Sequence, residues 1–148
     1  MILFKIQCTA QLREQFQKHR LSPRIIQQTC TLICNRLYRR KKHKSITLKF
    51  SHCTCKLYTR QLYGTCNFYF AKYTNRNQLI KDILHEFRHW LQWHMERIHL
   101  KDMYDITKIT NDYDPAYWRH PIEKDARRFT AKHLKTFKHY VSYFSIKD

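Results

Sequence analysis

Residues 77–91 of this chain read NQLIKDILHEFRHWL. Apolar residues recur there at every third or fourth position, and this spacing predicts one amphipathic helix with Asn77 as its N-cap. The apolar face is broad, so we expect the helix to pack in the core, where its polar side chains are held rigidly.

The helix contains the pattern H-E-x-x-H, formed by His85, Glu86 and His89. Two His four residues apart on a helix project from one face and can hold one metal ion. A Glu beside them can act as general base, because zinc acidifies a water molecule and the base takes its proton during attack on a carbonyl. Arg88 must then point away from the metal. The alternative is a surface helix with scattered His, since the chain has ten of them.

A catalytic zinc ion normally has three protein ligands and an open position, so a third ligand is needed downstream. Glu96 would lie on the same continuous helix, two turns from His89, and cannot fold back to the ion. No glycine follows the motif, which excludes the extended metzincin pattern.

The best candidate for the third ligand is Glu123. Pro121 is suited to the first position of a helix, which would place Glu123 in the first turn. The alternative is that Glu123 is an ordinary solvated helix residue. The packing side of this helix would carry Ile122, Ala126 and Phe129.

The pattern H-E-x-x-H followed by P-x-E-x-x-A resembles the gluzincin clan of zinc metallopeptidases. In size the chain resembles the minigluzincins and the short metallopeptidases of phages, viruses and mobile elements. The resemblance implies that His85, His89 and Glu123 bind Zn²⁺ and that Glu86 is the general base and acid. The resemblance covers about residues 44–138, and the two motifs are its only specific parts.

The sequence departs from the thermolysin-type glutamate motif, N-E-x-x-S-D. Arg127 stands where that motif has an aspartate that supports a ligand His, and Asp82 or Asp125 are the alternatives for this role. The SprT-like proteases, which act on proteins held at DNA, are a near neighbour with a third His as ligand. By that resemblance the third ligand would be His99 or His120.

We predict a single zincin-like domain over residues 1–148 with an α+β fold. It would comprise an N-terminal helix, a small mostly antiparallel β-sheet, the H-E-x-x-H helix and a C-terminal glutamate helix. Ser22 and Pro23 begin the first confident helix, which should run to about Tyr38. Its core-facing residues would be Ile25, Ile26, Cys30, Ile33 and Leu37.

Strands are predicted at residues 44–50, 55–63 and 65–73 from alternating apolar residues, with Gly64 at a turn or bulge. In the resembled folds the last strand borders the cleft, so a substrate peptide would add to an edge within residues 64–73. Residues 1–9 are read as a strand and 10–19 as a short helix. The glutamate helix should end near His139, followed by an extended tail over residues 141–146.

Six cysteines occur without a signal peptide, so we expect reduced thiols and an intracellular protein, in the cytoplasm or associated with DNA. No apolar run approaches the roughly 18 residues of a membrane span, so no membrane partner is expected. Cys30 and Cys34 would be buried on one helix. A second, structural zinc site is an alternative use of His52, Cys53, Cys55 and Cys66.

The formal net charge of +18 attracts polyanions. From the two motifs, the function we expect is a zinc metallopeptidase acting on a protein or peptide substrate. The alternatives are a SprT-like DNA-associated protease and a basic nucleic-acid-binding protein with a structural zinc. Candidate phosphate contacts, without sequence preference, are residues 39–44 together with Lys124, Arg127, Arg128, Lys132, Lys135 and Lys138.

Overall fold

The computed structural model of the chain describes the backbone of residues 2–39, 44–52, 58–62, 65–70, 75–96 and 114–146. Side chains are described for residues 9–39, 75–92, 95–96 and 114–146. The statements that follow concern these ranges.

The helical elements carry the core and the candidate site. The first two are α1 (Ala10–Lys18) and α2 (Pro23–Leu37), which begin after the N-caps Thr9 and Ser22. The remaining elements are α3 (Arg76–Leu91), a π turn (Gln92–Glu96) that continues it, α4 (Pro115–Arg119) and α5 (Pro121–Ile146).

Four strands form one sheet: β1 (Ile2–Cys8), β2 (Lys44–His52), β3 (Tyr58–Leu62) and β4 (Thr65–Phe70). Their order across the sheet is β1-β2-β4-β3. Strand β2 runs parallel to both β1 and β4, with Ile2 opposite Lys44 and Thr47 opposite Thr65, whereas β3 and β4 are antiparallel.

The predicted fold, an α+β domain built on a mostly antiparallel sheet, was wrong. Among the residues whose side chains are described, 88% are helical and none lies in a strand. The sheet backbone, for its part, pairs in parallel at two of its three interfaces. Alternation of apolar residues indicates a strand but not its direction, and the long connection through α1 and α2 lets β1 and β2 run parallel.

The strand order also overturns the predicted substrate edge. Strand β4, which occupies most of residues 64–73, is hydrogen-bonded on both sides, by β2 and by β3. An added peptide needs unpaired backbone groups, which a strand with two neighbours does not offer. In the described sheet the edge on this side is β3.

The core lies between α2, α3 and α5 and includes Leu12 and Phe16 of α1. Helix α3 packs along α5, and α2 lies against both α5 and β1. The largest side chains buried in this core are Trp90, Phe16, Phe87 and Phe137. The predicted core positions of α2 are buried except Leu37, which is 41% exposed because it lies in the last turn.

Two predicted boundaries need correction. The N-cap of α3 is Asn75, whose side chain accepts a hydrogen bond from Gln78 N, rather than Asn77. Helix α5 continues to Ile146 instead of giving way to an extended tail, and Val141 is fully buried in the core. The predicted starts of α2 after Ser22 and of α5 at Pro121 are confirmed.

Other predictions fall outside the described residues: Gly64, His99 and most of the basic run at residues 39–44. The second zinc site also lies there, because the side chains of His52, Cys53, Cys55 and Cys66 are not described. No described helix is both long and apolar enough to span a membrane.

Candidate metal centre

Two helices supply the candidate site. Helix α3 carries His85, Glu86 and His89 in its last two turns, and α5 carries Glu123 in its first turn. Residue 126, one turn after Glu123, is a fully buried alanine, and its small side chain suits close packing of the two helices. The exposed fractions of Glu86, His89 and Glu123 are only 5%, 6% and 4%.

The two His and Glu123 converge on a single point. The distance from His85 Nε2 to His89 Nε2 is 3.1 Å, and the same atom of His85 lies 3.1 Å from Glu123 Oε2. The other Glu123 oxygen, Oε1, lies 2.9 Å from His89 Nε2. Potential ligand atoms of three side chains are therefore mutual neighbours, although Glu123 lies more than 30 residues after His89 in the sequence.

This donor set fits a zinc ion. Metal–ligand distances of about 2.0–2.1 Å in tetrahedral geometry separate the ligand atoms by about 3.3 Å. The observed separations of 2.9–3.1 Å need to open by only a few tenths of an ångström. Two imidazole nitrogens and one carboxylate leave a fourth position open, which is the arrangement of catalytic rather than structural zinc sites.

Glu86 lies beside these atoms. Together with His85 and His89 it forms a group whose potential ligand atoms all lie within 4.8 Å of one another. Burial raises the pKa of its carboxyl group, although the neighbouring His89 and His85 work in the opposite direction. Its Oε2 atom is buried without a hydrogen-bond partner among the described residues. A raised pKa and a free acceptor atom are properties of a general base.

The His–Glu contacts are electrostatically strong. Burial by itself would lower the pKa of His89, but the hydrogen bond to Glu123 and the charge of Glu86 outweigh it and raise the pKa to about 9. For Glu123 burial acts to raise the pKa, and the hydrogen bonds from His85 and His89 lower it well below its usual range. Glu123 is thus a carboxylate, ready to serve as an anionic ligand.

The structure adds a residue that sequence reasoning missed. Gln92, only 2% exposed, places its Oε1 atom 2.9 Å from Nδ1 of His89. Asp125, one of the two predicted partners of a ligand His, contacts Gln92 rather than a His. Asp82 instead accepts a hydrogen bond from Gln78 on the exposed side of α3. The spacing of three residues between His89 and Gln92 was the available signal, since such residues share a helix face.

Arg88 points away from the His nitrogens, as the motif required. Its Nε donates to Asp125 Oδ2 at 2.7 Å, and its two terminal nitrogens donate to the two oxygens of Glu96 at 2.6 and 2.9 Å. Glu96 also accepts a hydrogen bond from the Tyr38 hydroxyl. Both acidic partners of Arg88 are therefore engaged away from the candidate metal position.

Two further residues named from the sequence, Arg127 and the alternative ligand His120, make other contacts. Arg127 lies over the Trp118 ring, with its guanidinium carbon 4.9 Å from the ring centre, and donates to the Trp118 carbonyl. His120 accepts a hydrogen bond from Ile122 N at the start of α5.

Comparison with known proteins identifies one family. No curated protein and no solved structure matches the chain. A family model described as "Protein of unknown function (DUF3920)" matches residues 48–140, a segment that includes His85, Glu86, His89, Gln92 and Glu123. The matched segment is well over half of the chain. The chain therefore belongs to the family of proteins of unknown function DUF3920.

Proposed function

We propose that this protein is a zinc-dependent metallopeptidase of gluzincin type, with His85, His89 and Glu123 as metal ligands. The observation that carries the proposal is the convergence of these three side chains, two from α3 and one from α5, within 2.9–3.1 Å of one another. A merely structural ion pair would not require a second buried carboxylate, Glu86, beside the same atoms.

A bound zinc ion would supply a positive charge that acidifies a water molecule and polarises a carbonyl group. Glu86 would accept the proton of that water during attack on the scissile carbonyl and then donate it to the leaving amine. Its raised pKa brings proton exchange closer to neutral pH, and its buried Oε2 is available to hold the water by a hydrogen bond.

The substrate would be a protein or peptide bound in extended form. Strand β3 is the sheet edge next to α3, and its backbone comes close to that helix. An extended peptide that added to β3 as a further strand would therefore run beside the helix that carries His85 and Glu86. This assigns peptide binding to the β3 edge in place of the edge expected from sequence.

Zinc content and peptide cleavage test the proposal in variants of the full chain. We expect the wild type to bind about one equivalent of zinc and to cleave casein, and His89→Ala and Glu123→Ala to lose both properties. Glu86→Gln should keep its zinc and lose cleavage by roughly 10²–10⁴-fold, because only the proton acceptor is removed.

Glu14→Gln is the matched control, since Glu14 is an exposed glutamate on α1. It should bind zinc and cleave like the wild type. Zinc that survives both ligand variants, or cleavage that survives Glu86→Gln, would refute the assignment.

A second candidate function is binding to a nucleic acid backbone. Four exposed cations follow one face of α5 at intervals of three or four residues, and the chain as a whole has a net charge of +18. We call them the basic row: Lys124, Arg128, Lys132 and Lys135. A row of cations on one helix face suits contacts with successive phosphates, which supply affinity but no sequence preference.

The salt dependence of DNA binding tests this second function. Each phosphate contact contributes about −0.9 to the slope of log K against log salt for duplex DNA. The triple variant Arg128→Gln, Lys132→Gln, Lys135→Gln should therefore have a shallower negative slope, by about one per lost contact. Arg13→Gln, Lys18→Gln, Lys81→Gln removes the same charge from exposed positions outside α5 and is the control. Equal slopes for the two triple variants would refute a role for the basic row.

A further inference from the structure

The side chain of Gln92 is enclosed by groups whose hydrogen-bonding roles are fixed. Its Nε2 atom lies 2.7 Å from Asp125 Oδ2 and 3.2 Å from the carbonyl oxygen of Ile122. Both of these oxygens accept hydrogen bonds and neither can donate one, so the NH₂ group of Gln92 must face them. The carbonyl oxygen of Gln92 is thereby turned toward His89.

This orientation determines which nitrogen of His89 keeps its proton. Gln92 Oε1 lies 2.9 Å from Nδ1 of His89 and can only accept, so Nδ1 must carry a hydrogen. The other ring nitrogen, Nε2, is then the atom that can lose its proton, and it is the one that faces His85 and Glu123. A ligand His generally uses its second nitrogen in this way, to set tautomer and ring orientation.

The carboxylate of Asp125 is itself held in place by Arg88. Its Oδ2 accepts hydrogen bonds from Arg88 Nε, at 2.7 Å, and from Gln92 Nε2. The two terminal nitrogens of Arg88 donate to the two oxygens of Glu96. A planar guanidinium fixed at both ends leaves Asp125 little freedom to turn away from Gln92.

The π turn allows Arg88 to reach the carboxylate of Glu96. Eight residues of regular α-helix rotate by about 800°, which would leave residue 96 about 80° away from the face of Arg88. A π turn is closed by i→i+5 hydrogen bonds and rotates the chain less per residue, which brings Glu96 back toward that face. The π turn begins at Gln92 and ends at Glu96, so it contains both the residue that contacts His89 and the residue that binds Arg88.

We propose that Gln92 is the positioning residue for the ligand His89, and that Asp125, held by Arg88, acts through Gln92 by fixing the orientation of its amide. This inference rests on the proposed function, because it assigns a role toward the metal held by His85, His89 and Glu123. Neither Gln92 nor Asp125 contacts the metal in this assignment.

Zinc affinity in variants of the full chain tests the inference, with competition against a chromophoric chelator as the measurement. Gln92→Met keeps the length of the side chain but removes its acceptor and donors. It should weaken zinc binding by about 10–100-fold, the usual cost of removing the partner of a ligand His. Gln78→Met, at an exposed position on α3, is the matched control and should bind like the wild type.

A double variant tests whether Asp125 acts through Gln92. Asp125→Leu alone should weaken zinc binding, because the amide of Gln92 is no longer held and can turn its nitrogen toward His89. In the Gln92→Met background it should add almost nothing, since there is no amide left to orient. Additive losses would refute the role assigned to Asp125.

The tautomer of His89 is a readout that would stay unchanged if Gln92 contributed only to folding. In ¹⁵N spectra of the zinc-loaded wild type, Nδ1 of His89 should appear protonated with the shift of a hydrogen-bonded N–H, and that shift should change in Gln92→Met but not in Gln78→Met. Circular dichroism identifies a variant that fails to fold, and Asp125→Leu then carries the test, because the Asp125 side chain is 46% exposed.

The outcomes separate this inference from the proposed function. A wild type that binds no zinc would refute the proposed function, and the positioning role with it. A wild type that binds zinc, with Gln92→Met binding equally well, would refute the positioning role alone.

Discussion

Arg88 explains how a charge is accommodated inside a buried H-E-x-x-H motif. Its guanidinium bonds with carboxylates of the π turn and of α5, and it also lies 5.0 Å from the centre of the Phe129 ring. The charge of Arg88 is therefore paired with two carboxylates at hydrogen-bond distance. Arg88 thus joins three elements, α3, the π turn and α5, without approaching the candidate metal position.

Cys30 and Cys34 are fully buried on α2, and we expect both thiols to be unreactive in the folded protein. Burial raises the pKa of both thiols, to about 12 for Cys34. At pH 8.5 this lowers the thiolate fraction of Cys34 about a thousandfold relative to an ordinary thiol. Iodoacetamide labelling, read by peptide mass spectrometry, should be at least about 100-fold slower at both cysteines than in urea. Comparable rates in the native and unfolded protein would contradict the burial of these thiols.

The same burial makes stability depend on pH. The unfolded chain loses thiol protons above about pH 8.5, whereas folded Cys34 keeps its proton until about pH 12. The unfolded state then binds fewer protons, so the free energy of unfolding falls as the pH rises through this window. The fall should be shallower in Cys34→Ala, as measured by urea unfolding between pH 8 and 10.

The N-terminus of α3 depends on Asn75. Its side chain lies 2.8 Å from Gln78 N and accepts one of the hydrogen bonds that the first helical turn leaves unmatched. Asn75→Ala should lower the free energy of unfolding by about 1 kcal/mol. Asn77→Ala is the matched control, because Asn77 is an exposed residue inside the helix, where Ala is at least as favourable. If urea unfolding showed a loss of stability in Asn77→Ala and none in Asn75→Ala, the cap would be Asn77.

The last turns of α5 contribute to the core, although the sequence pattern predicted an extended tail. Val141 is fully buried, whereas the next residue, Ser142, is exposed. Val141→Ser should therefore lower the free energy of unfolding by about 2 kcal/mol through lost apolar burial. Ser142→Val should change it by less than about 0.5 kcal/mol. Similar effects of the two changes would contradict a helix that continues to Ile146.

At the scale of the whole molecule, the candidate metal position joins α3 and α5, the two longest of the described helices, so metal binding should stabilise the fold. Free zinc at 100 times its dissociation constant would add about 2.7 kcal/mol, which for a chain of this size raises Tm by roughly 5–10 °C. Glu123→Ala should lose this shift, because it removes the ligand that α5 supplies. Thermal unfolding with and without zinc is the measurement.

Two controls accompany the thermal experiment. Magnesium should give no comparable shift, because it prefers octahedral oxygen ligands to imidazole. Glu14→Ala, at an exposed position on α1, should retain the shift caused by zinc. A shift that is unchanged in Glu123→Ala would place the responsible zinc elsewhere in the chain.

The sequence by itself determined the local features of this protein. The spacing of His85 and His89 places both on one helix face, because helical geometry depends only on neighbouring residues. Likewise Pro121 marked the start of α5 and thereby the position of Glu123 in its first turn. Burial of Ile122 and Ala126 followed from their spacing along that helix.

Only the tertiary structure decided how these local features combine. The 2.9–3.1 Å distances between the candidate ligand atoms exist because α3 packs against α5, a contact between segments more than 30 residues apart. The parallel pairing of β2 with β1 and β4 likewise depends on where the chain returns, which alternation of apolar residues does not encode. The role of Gln92 appears only when Ile122 and Asp125 close around it, because an amide has no preferred orientation until its neighbours are in place.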